Sequence, residues 1–160
     1  MKKFEMRIEQ WKKKIVDVSF LFFIILFTYA ATSKLLIFET FHLQLEQSPF
    51  IGMISLPVAI ILPGVLLVIS FLFFITKFRL IAFYFSLALL IIFNIYILGV
   101  LIFAESIPCS CGGVINTFSW NEHLIFNIGC SLLALLGIAL SYDLKTTNSR
   151  SSTGAVELNS

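Results

Sequence analysis

Four long stretches without a charged residue govern what this chain can become. They run from Val18 to Ser33, Gln47 to Thr76, Leu80 to Ala104 and His123 to Tyr142, which is 16, 30, 25 and 20 residues. A transmembrane helix needs about 20 mostly apolar residues to cross a hydrocarbon layer about 30 Å thick. The short first run extends through Ile15 at one end and Leu36 at the other. Only helices and closed barrels satisfy their backbone groups in lipid, and continuous apolar runs lack the alternation of barrel strands. The expected fold class is therefore all-α integral membrane, a four-transmembrane-helix bundle with spans at about 15–38, 51–76, 79–104 and 121–142. With only 12% of its 160 residues charged, against about a quarter in average chains, the chain is excluded as a nucleic-acid binder, a disordered protein or a large water-soluble catalytic domain.

The placement of the basic residues gives an orientation. Lys2, Lys3, Arg7, Lys12, Lys13 and Lys14 precede the first span, Lys77 and Arg79 lie between the second and third, and Lys145 and Arg150 follow the fourth. The two other connections, Glu39 to Phe50 and Glu105 to Glu122, contain neither Lys nor Arg. The positive-inside rule puts both termini and the Thr76–Arg79 turn in the cytoplasm and those two connections outside. Residues 1–14 are then a basic cytoplasmic N-terminal segment and residues 15–143 the membrane domain. Residues 144–160, Ser/Thr/Asn-rich with little to bury, are expected to be a disordered cytoplasmic tail. Tyr29 is bulky where a signal-peptide cut after Ala31 would want a small residue, so the first span reads as retained. Pro57 and Pro63-Gly64 predict a bent second helix.

The segment richest in chemistry is Pro108-Cys109-Ser110-Cys111-Gly112-Gly113, with two of the three cysteines one residue apart. On the outer side disulfides form and persist. A bridge across one intervening residue meets the geometry of a disulfide poorly, and strain makes it reducible, suited to exchanging electrons. Pro108 and Gly112-Gly113 supply the stiff and permissive dihedrals of a tight turn. Two other readings stand beside the redox dithiol: a bridge that only orders the loop, and a pair of thiolates for a metal. Structural zinc wants four ligands, and the outer side adds only His42, His123 and a few carboxylates, so no metal site is assigned. Cys130 falls about 12 Å into the membrane at 1.5 Å per residue from a helix start near Glu122, and reads as a core side chain rather than a resolving thiol.

The other polar residues of the spans are weighed the same way. Lys34, one turn from the outer end of the first helix, can snorkel, pair with Glu39, or favour a nearby thiolate. Tyr29 and Ser33 share a helix face. Asn94, mid-span with Tyr96, reads as interhelical glue rather than a ligand. Trp120 marks the outer mouth of the fourth helix as an interface anchor, with His123, able to move a proton near neutral pH, and Asn127 a turn below. Ser119 with Glu122 forms a candidate capping box, which would set partial positive charge beside the cysteines. His42 has no evident partner.

Taken together, Tyr29-x3-Ser33-Lys34, Phe41-x3-Leu45-x2-Ser48-Pro49, the Leu56-Pro57 and Leu62-Pro63 steps, and Pro108-Cys109-Ser110-Cys111-Gly112-Gly113 before the last span resemble the MauE branch of the DoxX-like membrane proteins, over about residues 15–142. Where such families carry an acid soon after the Leu-Pro of the second helix, this chain has Gly64. The resemblance implies a bacterial inner-membrane protein of the methylamine-utilisation type, linked to disulfide formation in, or transport of, the small subunit of methylamine dehydrogenase. By position, Cys109 and Cys111 would be the redox pair and Lys34 the matching lysine of helix one. The layout is also similar to vitamin K epoxide reductase and bacterial disulfide generators, but their second cysteine pair is missing. The expected activity is thiol–disulfide exchange by Cys109 and Cys111 with an extracytoplasmic thiol protein, with Lys34, Trp120 and His123 in support and a quinone as a candidate to reload the pair. The rivals are a non-enzymatic membrane scaffold whose cysteines only brace the loop, and transport, for which Asn94 and Tyr96 are thin support.

Overall fold

The computed structural model describes residues 2–48, 51–103 and 120–157. Within them lie five α-helices: α1 Lys2–Leu36, α2 Phe38–Glu46, α3 Ser55–Phe74, α4 Arg79–Phe103 and α5 Trp120–Glu157. Single 3-10 turns at Gly52–Ile54 and Thr76–Phe78 lead into α3 and α4. The four long helices close a ring in which α1 packs on α3, α3 on α4, α4 on α5 and α5 back on α1. The stretches Met6–Leu36, Gly52–Phe74, Thr76–Phe103 and Asn121–Thr147 are each long and apolar enough to cross a membrane. This is the four-span all-α bundle expected from the uncharged runs.

Packing within the chain covers only 22% to 33% of the most apolar part of each span. The remainder, including Val18, Ile25, Ile60, Phe71, Ile92, Ile95 and Leu132, faces outward. An apolar surface of that extent is untenable in water and is what a bilayer covers. Inside the ring, packing rather than water exclusion holds the helices. One ring each from α1, α3 and α4 meets at its centre. Phe23 and Phe73 stack at 5.9 Å, and Phe83 stands edge-on to them at 6.0 and 5.0 Å. All three are fully buried. The fourth helix reaches this joint with a glycine: a Cβ on Gly137 of α5 would come 2.6 Å from Cε1 of Phe83.

Hydrogen bonds join the same helices at other levels. Thr28 of α1 and Ser70 of α3 pair through their hydroxyls at 2.8 Å, and Asn94 Nδ2 of α4 donates to Ser131 Oγ of α5 at 3.0 Å. At the end carrying both termini, Lys12 pairs with Asp143. Arg79 at the start of α4 lies 3.3 Å from Asp17 and 4.1 Å over the ring of Phe20. These contacts bring the N-terminal part of α1, the α3–α4 turn and the C-terminal part of α5 to one end of the bundle.

Two elements differ from the sequence expectation. The connection after the first span is not plain loop: residues Phe38–Glu46 form α2, which turns Phe41 and Leu45 onto Ala59 of α3. Its apolar positions recur at helical spacing, which buries one face and leaves Glu39 and Glu46 outside. At the other end, α5 continues as helix to Glu157, beyond the boundary at residue 143 that composition suggested for a disordered tail. Threonine disfavours helix when its hydroxyl competes for the backbone, but Thr146 and Thr147 donate back to the carbonyls of Tyr142 and Asp143 inside the helix. Pro63 sits within α3 on its buried face, where packing against neighbouring helices makes a proline tolerable.

Candidate functional site

The end of the bundle opposite the termini collects the polar residues singled out above. Lys34 lies in the last turn of α1. His123 lies in the first turn of α5, three residues after Trp120 opens that helix. The ammonium of Lys34 is 4.9 Å over the ring of Phe41, so α2, folded under the bundle end, supplies the face on which the cation rests. Lys34 and His123 line two adjoining cavities together with Phe93 of α4. The narrower one, about 70 Å³, passes between α1, α4 and α5 to Asn127. The wider one, about 280 Å³, is roofed by Phe41 and Leu45 of α2 and walled by Val58 and Leu62 of α3 and Tyr96 of α4.

The polar atoms around these cavities fall into two groups. Tyr96 is held in place, its hydroxyl 2.8 Å from Ser48 Oγ. His123 Nδ1 and Asn127 Nδ2, by contrast, are buried without a hydrogen-bond partner among the described residues. A buried donor or acceptor left unmade costs roughly 1–3 kcal/mol, so these atoms mark a place where a polar group fits. His123, Asn127 and Ser131 follow each other four residues apart and form one polar stripe down α5. At its deep end Ser131 donates to the carbonyl of Asn127 at 2.8 Å while accepting from Asn94.

The sequence-derived candidates thus divide. Lys34 and His123, from helices far apart in sequence, come to one cavity. Cys109 and Cys111 lie outside the described residues, as do Pro108, Gly112, Gly113 and Ser119. The connection that carries them leaves α4 at Phe103 and joins α5 at Trp120, the two helix ends at the Lys34 end of the bundle. Cys130 is buried in the core, as expected of a packing residue. Asn94 acts as glue between α4 and α5, also as expected. The reading of His42 is corrected: its Nε2 lies 3.3 Å from Ser55 Oγ and 3.7 Å from Glu46, and its ring stacks on Phe38. Phe38 and Glu46 lie one turn away on either side in α2, and Ser55 opens α3, relations hidden while the segment reads as loop. Gln44, which also lines the wider cavity, Ser131 and Gly137 were not singled out from sequence, although the four-residue spacing of His123, Asn127 and Ser131 was there to be seen. Among the described residues no three of His, Cys, Asp and Glu converge as metal ligands.

Comparison with known proteins bears on the chain as a whole. No curated protein and no solved structure matches it. The sequence profile of the family described as Methylamine utilisation protein MauE matches residues 12–140, which takes in most of all four spans, the residues lining the cavities and the cysteine pair. The chain therefore belongs to the MauE family of membrane proteins.

Proposed function

We propose that this multi-span protein resides in a bacterial inner membrane, with both termini cytoplasmic, and exchanges disulfides through Cys109 and Cys111 with a thiol protein outside the membrane. The observation that carries the reading is the family match across residues 12–140, a stretch that includes Cys109 and Cys111. The absence of Lys and Arg from that connection and from Glu39–Phe50 supports the outward orientation.

The chemistry balances without a further group. A substrate thiolate attacks one sulfur of the oxidised pair, expelling the other as a thiolate and forming a mixed disulfide. A second substrate thiol then attacks that bond, so the substrate leaves as a disulfide and Cys109 and Cys111 remain as thiols. The reverse sequence passes reductant outward through the same atoms. Lys34 at the cavity mouth supplies a positive charge that favours the thiolate form of a sulfur that approaches it.

Thiol trapping in intact membranes across a graded dithiothreitol series tests the proposal. The pair is expected to titrate near the potential of extracytoplasmic oxidants, and a Cys111→Ala variant to accumulate a mixed disulfide with a partner protein. A bridge that stays oxidised far below the glutathione poise, with no trapped partner, would make it a structural staple and the protein a scaffold.

A further inference from the structure

We infer that Arg7, Trp11 and Lys14 form a headgroup site on α1 for one anionic phospholipid, whose phosphate lies between the two cations and whose chains follow Val18, Leu21 and Ile25. The inference rests on neither the thiol exchange nor the orientation proposed above.

Depth comes first. Lys14 and Lys34 stand about 30 Å apart along α1 at 1.5 Å per residue, which is the thickness of the hydrocarbon layer. With Lys34 at one face of that layer, Lys14 marks the other, and Trp11 and Arg7 follow about 4.5 and 10.5 Å farther out. The headgroup zone extends about 5–8 Å beyond the hydrocarbon on each side. Trp11 therefore sits among headgroups, where an indole is favoured, and the long side chain of Arg7 reaches back into the same zone.

Register then ties the charges to an apolar track. Arg7, Trp11, Lys14, Val18, Leu21 and Ile25 recur at three- and four-residue steps and so share one side of the helix. Trp11, Val18, Leu21 and Ile25 are each more than half exposed, which turns that side away from the bundle. At the end of the track, Arg7, Gln10, Trp11 and Lys14 line an open depression of about 330 Å³. The Lys14 ammonium stands 5.6 Å from the centre of the Trp11 ring, an attraction that keeps both side chains on this side.

Charge selects the headgroup. Glu9 lies about 200° round the helix from Arg7. Asp17, one turn beyond Lys14, is 3.3 Å from Arg79, and Asp143 of α5 is taken by Lys12. Among the described residues no acid pairs with Arg7 or Lys14. A planar guanidinium can grip two phosphate oxygens while an ammonium one turn or two away meets a third. A zwitterionic lipid also offers a phosphate, but its own ammonium cancels the charge that two cations prefer. Free phosphate lacks the chains that the apolar track accommodates.

The test uses the full chain with Trp120→Phe, which leaves Trp11 as its single tryptophan, in phosphatidylcholine vesicles. Doxyl nitroxides on the fifth acyl carbon of phosphatidylglycerol or of phosphatidylcholine serve as probes, and quenching of Trp11 reads which lipid sits beside it. Each cation near an anionic headgroup favours it about fivefold, so phosphatidylglycerol should be preferred by up to about 25-fold. Arg7→Gln and Lys14→Gln should each reduce that preference about fivefold and together abolish it. Lys13→Gln, on another side of α1, should change it less than twofold. Arg7, Lys13 and Lys14 are all exposed, so these substitutions leave the bundle packed. Equal quenching by the two lipids in the parent, an equal loss with Lys13→Gln, or release of the quenching lipid by inorganic phosphate at matched ionic strength would each overturn the assignment. The second result would mean diffuse attraction to a basic surface, and the third a site for free phosphate.

Discussion

Replacing Gly137 with alanine puts a methyl group where Phe83 already sits. The new Cβ would lie 2.6, 2.8 and 2.9 Å from Cε1, Cζ and Cδ1 of that ring, whereas carbon atoms settle at about 3.5–4.0 Å. Either the ring or α5 must therefore give by about 1 Å. The ring has nowhere to go, because Phe83 is fully buried and boxed in by Phe23 and Phe73 at centroid distances of 6.0 and 5.0 Å. Overpacking of this kind costs about 1–3 kcal/mol, offset by about 1 kcal/mol that alanine gains over glycine in a helix. Gly129, two turns earlier on the same helix, isolates the first effect, since a Cβ there meets nothing within 4 Å. Gly137→Ala should thus fall below Gly129→Ala by about 1–3 kcal/mol, or about 5- to 150-fold in the unfolding equilibrium. The comparison can be made by unfolding both variants with increasing sodium dodecyl sulfate in maltoside micelles, followed by circular dichroism. Adding Phe83→Leu to Gly137→Ala should restore part of the loss, because the two residues share one space and their effects do not add. If Gly137→Ala proved as stable as Gly129→Ala, the aromatic joint would not be the close-packed centre described here.

The bond between Asn94 and Ser131 should contribute about 0.6 kcal/mol and no more than about 1.7, so Asn94→Leu and Ser131→Ala should each lower stability by that order and the double variant by little more. A double-mutant cycle in the same micelles with zero coupling would refute the contact. Asp17→Asn breaks a partly exposed ion pair with Arg79, and its cost of about 0.2–1 kcal/mol should shrink as salt is raised; a salt-independent loss would assign it to something other than charge. Leu45 is buried between α2 and α3, and Leu45→Ala should raise hydrogen exchange in α2 while leaving the four long helices protected. Unchanged exchange would mean that α2 is held by other contacts. For orientation, a membrane-impermeant maleimide applied to intact cells of an otherwise cysteine-free chain should label Thr40→Cys and spare Lys77→Cys until the membrane is opened. The opposite pattern would invert the topology.

The spans were legible because lipid leaves few choices: a stretch such as Leu80–Ala104, without a charge over 25 residues, has no stable form there except a helix. The glue role of Asn94 was legible for a related reason, since an amide in hydrocarbon seeks a partner wherever one is near. The short helix α2 was not read, although Phe38, Phe41 and Leu45 carry helical spacing, because nine residues make too weak a period to stand out between a long apolar span and the turn at Gly52–Ile54. With α2 unread, the partners of His42 were hidden too. The helical extension of α5 past Asp143 ran against composition, which weighs threonine as a breaker without knowing whether its hydroxyl turns back onto the helix, as those of Thr146 and Thr147 do.

By itself, the sequence determined that the chain is a membrane bundle, where its helices run and which cysteines lie close in the chain, for all of these follow from local composition and spacing. Only the tertiary structure decided that Lys34 of α1 and His123 of α5 share a cavity, that Asn127 lines it with a donor unpaired among the described residues, and that Gly137 is a glycine because Phe83 fills its place. Those facts depend on how four helices rotate about their own axes as they pack. The apolar runs constrain that rotation weakly, because every face of such a helix is acceptable to lipid.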